Sequence, residues 1–140
     1  MVEELTAYTA QDVLDIDILM HELSPTSYCN EDILDAIIKD LNSHAYVIRK
    51  EGHIIAAGTL CVMHSLEITL ANIESVVVAS EQRGHGYGKG LIEHIIDESK
   101  RLGVRSIHLT SNPKRIAANN LYQKLGFLKC ETNCFVYEIK

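Results

Sequence analysis

Four glycines occupy every second position of Arg83-Gly84-His85-Gly86-Tyr87-Gly88-Lys89-Gly90. They lie between the β-branched run Val76-Val77-Val78 and an apolar-periodic segment that begins near Leu91. Glycine permits positive φ and lets another molecule approach the backbone closely. Amides of such a loop, carried on into a helix N-terminus, suit a phosphate. Arg83 and Lys89 would add charge-assisted contacts, or else are solvated cations. The chemistry on offer is the cradling of a phosphate-bearing ligand, set against the plainer reading of a glycine-rich connection.

Spacing separates the common designs. A dinucleotide fingerprint Gly-x-Gly-x-x-Gly would need glycine at Lys89 or at Leu91, according to register. The nucleotide P-loop would need glycine at Arg83 and a hydroxyl at Gly90, and fails twice. The pattern that remains is Arg/Gln-x-x-Gly-x-Gly/Ala, satisfied by Arg83, Gly86 and Gly88. Metal chemistry has little support. Cys130-x-x-x-Cys134 has no matching second pair, and the seven histidines are scattered singly. Cys29 and Cys61 lack a local histidine partner and read as packing residues.

The surrounding elements must position this loop. Leu5–Tyr8 reads as a short edge strand. Thr9 then caps a helix with Val13, Ile16, Met20 and Leu23 on one face and Asp12, Asp15 and Glu22 largely opposite. Asn30 caps a second helix whose apolar stripe is Ile33, Leu34, Ile37, Ile38 and Leu41. Ala45–Ile48 and Ile54–Ala57 form a hairpin across Glu51-Gly52, and the second strand continues to Met63. A strand from Ile68 ends in Val76-Val77-Val78, a run that suits burial on both faces. A helix follows the glycines and stops at Gly103. Ser106–Thr110 is a strand, and Asn112-Pro113 starts a helix that ends at Gly126. Phe127-Leu128 and Phe135–Ile139 close the chain as strands. The expectation is one domain over residues 1–140, in the order β-α-α-β-β-β-α-β-α-β-β. That order is a mixed α/β (α+β) architecture, a sheet of six to seven strands flanked by four helices.

The glycine pattern resembles the acetyl-coenzyme A pyrophosphate loop of the GNAT superfamily of N-acetyltransferases. The strand Ile73-Glu74-Ser75-Val76-Val77-Val78 looks like the one preceding that loop, and Ala117–Phe127 resembles the superfamily's final helix with its Leu-Tyr-x-x-x-Gly-Phe ending. The resemblance covers nearly the whole chain. It implies a mostly antiparallel sheet and direct transfer of acetyl from acetyl-CoA to a primary amine, with no metal and no covalent acyl-enzyme. Amides of Arg83, Gly84, His85, Gly86, Tyr87, Gly88 and Lys89 would hold the pyrophosphate, and the backbone of Val76, Val77 and Val78 the pantetheine arm. Tyr122 matches the catalytic tyrosine that protonates the departing sulfur. Its plainer role is a core aromatic.

The attacking nitrogen must lose a proton, and Glu74 is the candidate base, with His108 and His64 in reserve. Period-two alternation places Glu74, Val76 and Val78 on one face, and burial would have to raise the carboxylate's pKa. Many superfamily members carry a cofactor-contacting asparagine seven residues before the tyrosine. Here that position is Arg115, and Asn119 is the substitute. The acceptor pocket is implied to lie around Met20–Asn30 and the late strands, with His21, Glu22, Tyr28 and Asn133 as contacts.

A net charge of -6 and acidic residues concentrated in the first forty positions argue against nucleic acid and agree with a cationic acceptor, although a solvated acidic surface explains them as well. No apolar run approaches the roughly 20 residues that span a bilayer, and the start Met1-Val2-Glu3-Glu4 is unlike a signal peptide. A cytoplasmic enzyme acting on a small-molecule amine is expected, with a homodimer from superfamily habit. The rival is a non-catalytic acyl-CoA sensor on the same fold.

Overall fold

Thr9 starts the first helix, α1 (Ala10–Leu23), as its position predicts. Its hydroxyl accepts from the Asp12 amide while the Asp12 carboxylate accepts from the Thr9 amide, a reciprocal capping box. Asn30 caps α2 (Glu31–Lys39) by accepting from the Ile33 amide at 2.9 Å. Leu41 lies beyond the end of α2 and is exposed, because the chain turns at Asp40, whose carboxylate accepts from the Asn42 amide and the Ser43 hydroxyl.

The computed structural model describes Met1–Lys140 as two compact units, Met1–Thr110 and Ser111–Lys140. The first holds a five-stranded sheet whose spatial order is its sequence order: β1 (Val2–Glu4), β2 (Ser43–Lys50), β3 (His53–His64), β4 (Thr69–Val78) and β5 (Ser106–His108). The first four pair antiparallel, and β5 joins β4 in parallel after the crossover helix α3 (Tyr87–Arg101). Strand β1 precedes the expected Leu5–Tyr8. Leu5 is instead a buried core residue, and the Tyr8 hydroxyl donates to Asp35 on α2 at 2.6 Å.

Helices α1 and α2 cover one sheet face around Ile16, Leu19, Leu34, Val47, Ala57 and Val77. Helix α3 packs on β2, β3 and β4 and buries Leu91, Ile92 and Ile95 completely. The expected placement of Asp12 and Asp15 on the open side of α1 is corrected, since both are buried. Asp12 receives two hydrogen bonds from the Arg49 guanidinium, at 2.7 and 3.0 Å. Asp15 accepts from the Ile54 amide at 3.0 Å, where β3 bulges against β2. Each carboxylate therefore ties α1 to the sheet, and buried charge persists because it is fully partnered.

Arg49 holds the Asp12 carboxyl below its ordinary pKa against the opposing effect of burial. For Asp15, burial pushes the pKa up, but hydrogen bonds from Ile54, Gln11 and His53 outweigh it. A folded-state pKa below the unfolded value contributes stability that is present above the unfolded value of about 3.9 and is lost as pH falls through the folded one. Asp12→Asn should cost about 2–3 kcal/mol at pH 7, moderated because Arg49 is partly in water, and should flatten the acid limb of stability. Urea melts at pH 7 and pH 3.5 check both effects. An unchanged acid limb in the variant would sink this account.

The second unit holds α4 (Ile116–Lys124) and the segment after it. The expected start at Asn112-Pro113 is a separate turn, closed by Arg115 N–H to Asn112 O and by Asn112 Oδ1 accepting from the Lys114 amide. The strands expected at Phe127-Leu128 and Phe135–Ile139 do not form, and the sheet has five strands in place of six to seven. The Phe127 amide is taken by the end of α4, and Leu128, Phe135, Val136, Tyr137 and Ile139 are exposed. Aromatic and β-branched composition describes fit to a paired, half-buried surface, and it does not create the pairing.

Candidate active site

A bulge in β4 organises the first unit's chemistry. Thr59 pairs with Glu74 and Ala57 with Val77, so Ser75 and Val76 together face the single residue Gly58. Ser75 takes φ of 57°, unusual for a residue with a side chain. The extra residue resets the alternation. Thr59 and Ala57 are two apart on β3 and share a face, so Glu74 shares its face with Val77, on the side of α1 and α2. Val76 turns to the α3 side, where a Cβ on Gly58 would lie 3.4 Å from Val76 and Ile95 and 3.5 Å from Leu91. The expectation that Glu74, Val76 and Val78 share one face is thereby corrected. Of the valine run, Val77 is fully in the core and Val76 and Val78 are half-buried. The parallel ladder to β5 is only three pairs long and ends at Asn72↔His108.

Beyond Val78 the chain makes a 3-10 turn at Ser80–Gln82 and enters the glycines. Glu22, near the end of α1, accepts from both the Ser80 amide (3.1 Å) and the Ser80 hydroxyl (3.2 Å), anchoring the loop's entry. The Arg83 Nε donates to Val78 O at 3.2 Å, which folds its side chain back on the strand end. Gly84 and Gly86 have φ of 84° and 82°. Helix α3 begins at Tyr87, inside the glycine run and earlier than Leu91, with Gly86 as a left-handed N-cap. The first helical bond runs from Gly90 N–H to Gly86 O, so the four preceding amides have no acceptor in the helix.

Helices α1 and α2 each spend a side-chain cap and first-turn carboxylates on their N-termini. Helix α3 has no side-chain cap and no acid in its first turn, while Lys89 sits within it. Its first-turn amides are left without a side-chain acceptor, and such a dipole end with open donors suits an anion. His85 and Tyr87 pack ring against ring, 6.1 Å apart, on the same turn.

Glu74 is exposed, so the burial expected for it is absent. Its charge acts on the Cys61 thiol, which burial first and Glu74 second push above the ordinary value. Burial and then Asp17 do the same to Cys29. Neither thiol is activated as a nucleophile. His64 stands opposite Thr69 at the far end of β4, roughly 16 Å from Glu74 at strand rise. His108 on β5 is engaged with the Ser106 hydroxyl at 3.0 Å.

In the second unit, the Leu-Tyr-x-x-x-Gly-Phe segment is a helix-ending device. Phe127 N–H bonds to Tyr122 O (3.0 Å) and Gly126 N–H to Gln123 O (3.1 Å), with Gly126 at φ of 103°. The Phe127 ring closes the motif by meeting the Tyr122 ring edge-on at 5.9 Å. Tyr122 is thus held by both backbone and ring. It is buried, which raises its phenol pKa above the ordinary 10, with Arg115 opposing. Asn119 donates its side-chain amide to Asn112 O at 3.1 Å and braces the turn before α4.

Among the acceptor candidates, Tyr28 lines a pocket of about 140 Å³ between α1, α2 and the sheet. His21 turns back onto its own helix at Asp17 O, Glu22 serves the loop, and Asn133 is exposed in the last segment. Sequence reasoning missed Thr59 and Ser75, which contribute to the pocket wall. The available signal was Gly58, a glycine inside a strand pattern, which marks a bulge or a close approach.

Residues 10–127 match the family model described as Acetyltransferase (GNAT) family, and the chain belongs to that family. Members of that family use acetyl-CoA as co-substrate. A 61-residue stretch is 39% identical to the ribosomal protein bS18-alanine N-acetyltransferase of Escherichia coli (strain K12), covering 44% of this chain and 39% of that protein. The chain therefore matches only about two fifths of that relative's length. A putative acetyltransferase from Agrobacterium tumefaciens superposes with a TM-score of 0.84 at 21% identity, covering 99% of both chains. Glucosamine-6-phosphate N-acetyltransferase from Arabidopsis thaliana gives 0.77 at 21% identity, over 98% of this chain and 97% of that one. At such identities the likeness is one of fold. No helix is long and apolar enough to cross a membrane.

Proposed function

We propose that this chain transfers the acetyl group of acetyl-CoA directly to a primary amine, most simply that of a small molecule. The observation that carries the reading is the α3 N-terminus, left without cap or acid behind a loop of two left-handed glycines. The loop amides and Lys89 bind the pyrophosphate, and the backbone at the β4 bulge aligns the pantetheine arm and thioester. The amine nitrogen attacks the thioester carbon, the carbon–sulfur bond breaks, and the sulfur takes a proton from the Tyr122 hydroxyl. The proton lost by the amine passes to Glu74 directly or through water, and a bound co-substrate would remove the solvent that now surrounds this carboxylate.

The test is acetyl-CoA-dependent thiol release measured with a panel of primary amines, alongside calorimetric CoA binding. Release that requires both substrates is expected. Tight CoA binding with no turnover across the panel would overturn the enzyme reading in favour of a sensor.

A further inference from the structure

The pocket beside the β4 bulge has a composition that speaks about the acceptor. Its walls are aliphatic, from Ile16, Met20, Ile33, Leu34 and Ile37 on the two helices and Val47 beneath them. No lining side chain is a carboxylate, lysine, arginine or histidine. The polar lining side chains are Thr59 and Ser75, from the sheet at the β4 bulge, and Tyr28, from the loop after α1. Thr59 is the residue directly opposite Glu74, so the sole carboxylate on β4 lies at the pocket edge formed by Thr59 and Ser75. An apolar floor with one anionic edge is complementary to a cationic amine carrying an apolar substituent. It has no cation to receive a phosphate and too few hydrogen-bonding groups for a sugar or a polyamine, whose polar groups would be stripped of water without replacement.

Resting on the acetyl-transfer reading, we infer that the acceptor is a primary amine whose neighbouring carbon bears an apolar side chain the size of isobutyl or a single aromatic ring, seated in this pocket. The size follows from the volume. A dry cavity of about 150 Å³ accepts benzene, and this one is about 140 Å³. The bulge sets the depth, because Ser75 belongs both to the pocket wall and to the strand expected to present the thioester. An ammonium drawn to Glu74 would be held at the reacting level while its side chain points down between α1 and α2.

The experiment compares kcat/KM for glycinamide, alaninamide, leucinamide and phenylalaninamide, with glucosamine 6-phosphate and spermidine as polar comparators and Leu-Gly-Gly as a peptide arm. Leucinamide is expected to exceed glycinamide by about 100-fold or more, since isobutyl adds four carbons and each one buried contributes roughly 4-fold. Equal rates for leucinamide and Leu-Gly-Gly would place the source among peptide N-termini, and a strong preference for leucinamide among small amines; either supports the pocket. Ala45 on β2 also lines the pocket, and Ala45→Leu should bring the leucinamide-to-glycinamide ratio close to unity by filling the space. Ile37→Ala should shift the optimum from leucinamide to phenylalaninamide, and it keeps the test decisive if the first variant does not fold. A flat panel in the wild type overturns the pocket assignment and leaves acetyl transfer standing, as would a preference for the polar comparators. Loss of butyryl-CoA use in Ala45→Leu, with the amine preference intact, would give the pocket to the acyl chain instead. No thiol release with any amine would overturn the underlying reading along with this one.

Discussion

Tyr122→Phe is expected to lower kcat about 100-fold while leaving acetyl-CoA affinity within about 2-fold. Removing a positioned acid typically costs 10²–10⁴-fold. The lower end applies because the leaving group is a thiol, whose ordinary pKa near 8.5 already makes its anion tolerable. In the proposed mechanism the phenol adds a proton delivered as the carbon–sulfur bond breaks. Burial favours the neutral hydroxyl and raises its pKa, while Arg115 pulls the other way. A raised acid pKa means that the donor form persists through neutral pH and is lost only above the ordinary value of 10. The wild-type kcat profile should therefore hold through pH 10 and fall only above it, and the Phe variant should lack that alkaline limb. Phenylalanine keeps the ring that meets Phe127 at 5.9 Å and leaves the backbone bonds of the helix end intact. The thermal midpoint should consequently move little. A collapse of CoA binding or of folding in this variant would make Tyr122 a packing residue and nothing more.

What could be read from the sequence followed rules that act within a few residues. Thr9 and Asn30 announce their helices because a short side-chain oxygen must answer an orphan amide three residues on. Gly126-Phe127 announces the end of α4 because left-handed φ and a returning apolar ring are both local requirements. The glycine run was legible as a left-handed loop leading into a helix for the same reason. Features that depend on a distant partner were not legible. The face of Glu74 rested on strict alternation, and the two-against-one pairing with Gly58 reset it. Asp12 and Asp15 look like solvent residues until Arg49 and the Ile54 amide arrive from strands about 40 positions away. The pocket is less legible still, since its walls come from five separate elements and no stretch of chain contains its pattern. The closing residues erred in the opposite direction, with strong strand composition and no ladder in the structure.

Gly86→Val should weaken CoA binding about 100-fold or more at a cost of only about 1–2 kcal/mol in folding stability. Gly86 sits at φ of 82° and ψ of 8°. A β-branched residue pays steeply there, of order 1–3 kcal/mol, because its Cβ crowds the neighbouring carbonyl. Nothing else in the protein lies within 4 Å of a Cβ built on Gly86, so the penalty is conformational and confined to the loop. The chain can relieve it by rotating the peptide planes at the start of α3. That rotation hardly disturbs the core, but it turns the first-turn amides away from a common point. Hydrogen bonds to a charged group contribute about 1.5–3 kcal/mol each, so losing one or two accounts for the expected loss of affinity. A substitution series separates conformation from bulk. Asparagine tolerates the left-handed region, alanine less so, and valine hardly at all. Calorimetric CoA affinity should therefore fall in the order Gly86→Asn, Gly86→Ala, Gly86→Val, with urea midpoints following more weakly. If Asn proves as damaging as Val, the ligand itself must approach Gly86 too closely for any side chain. Wild-type affinity in all three variants would remove the pyrophosphate from this loop altogether.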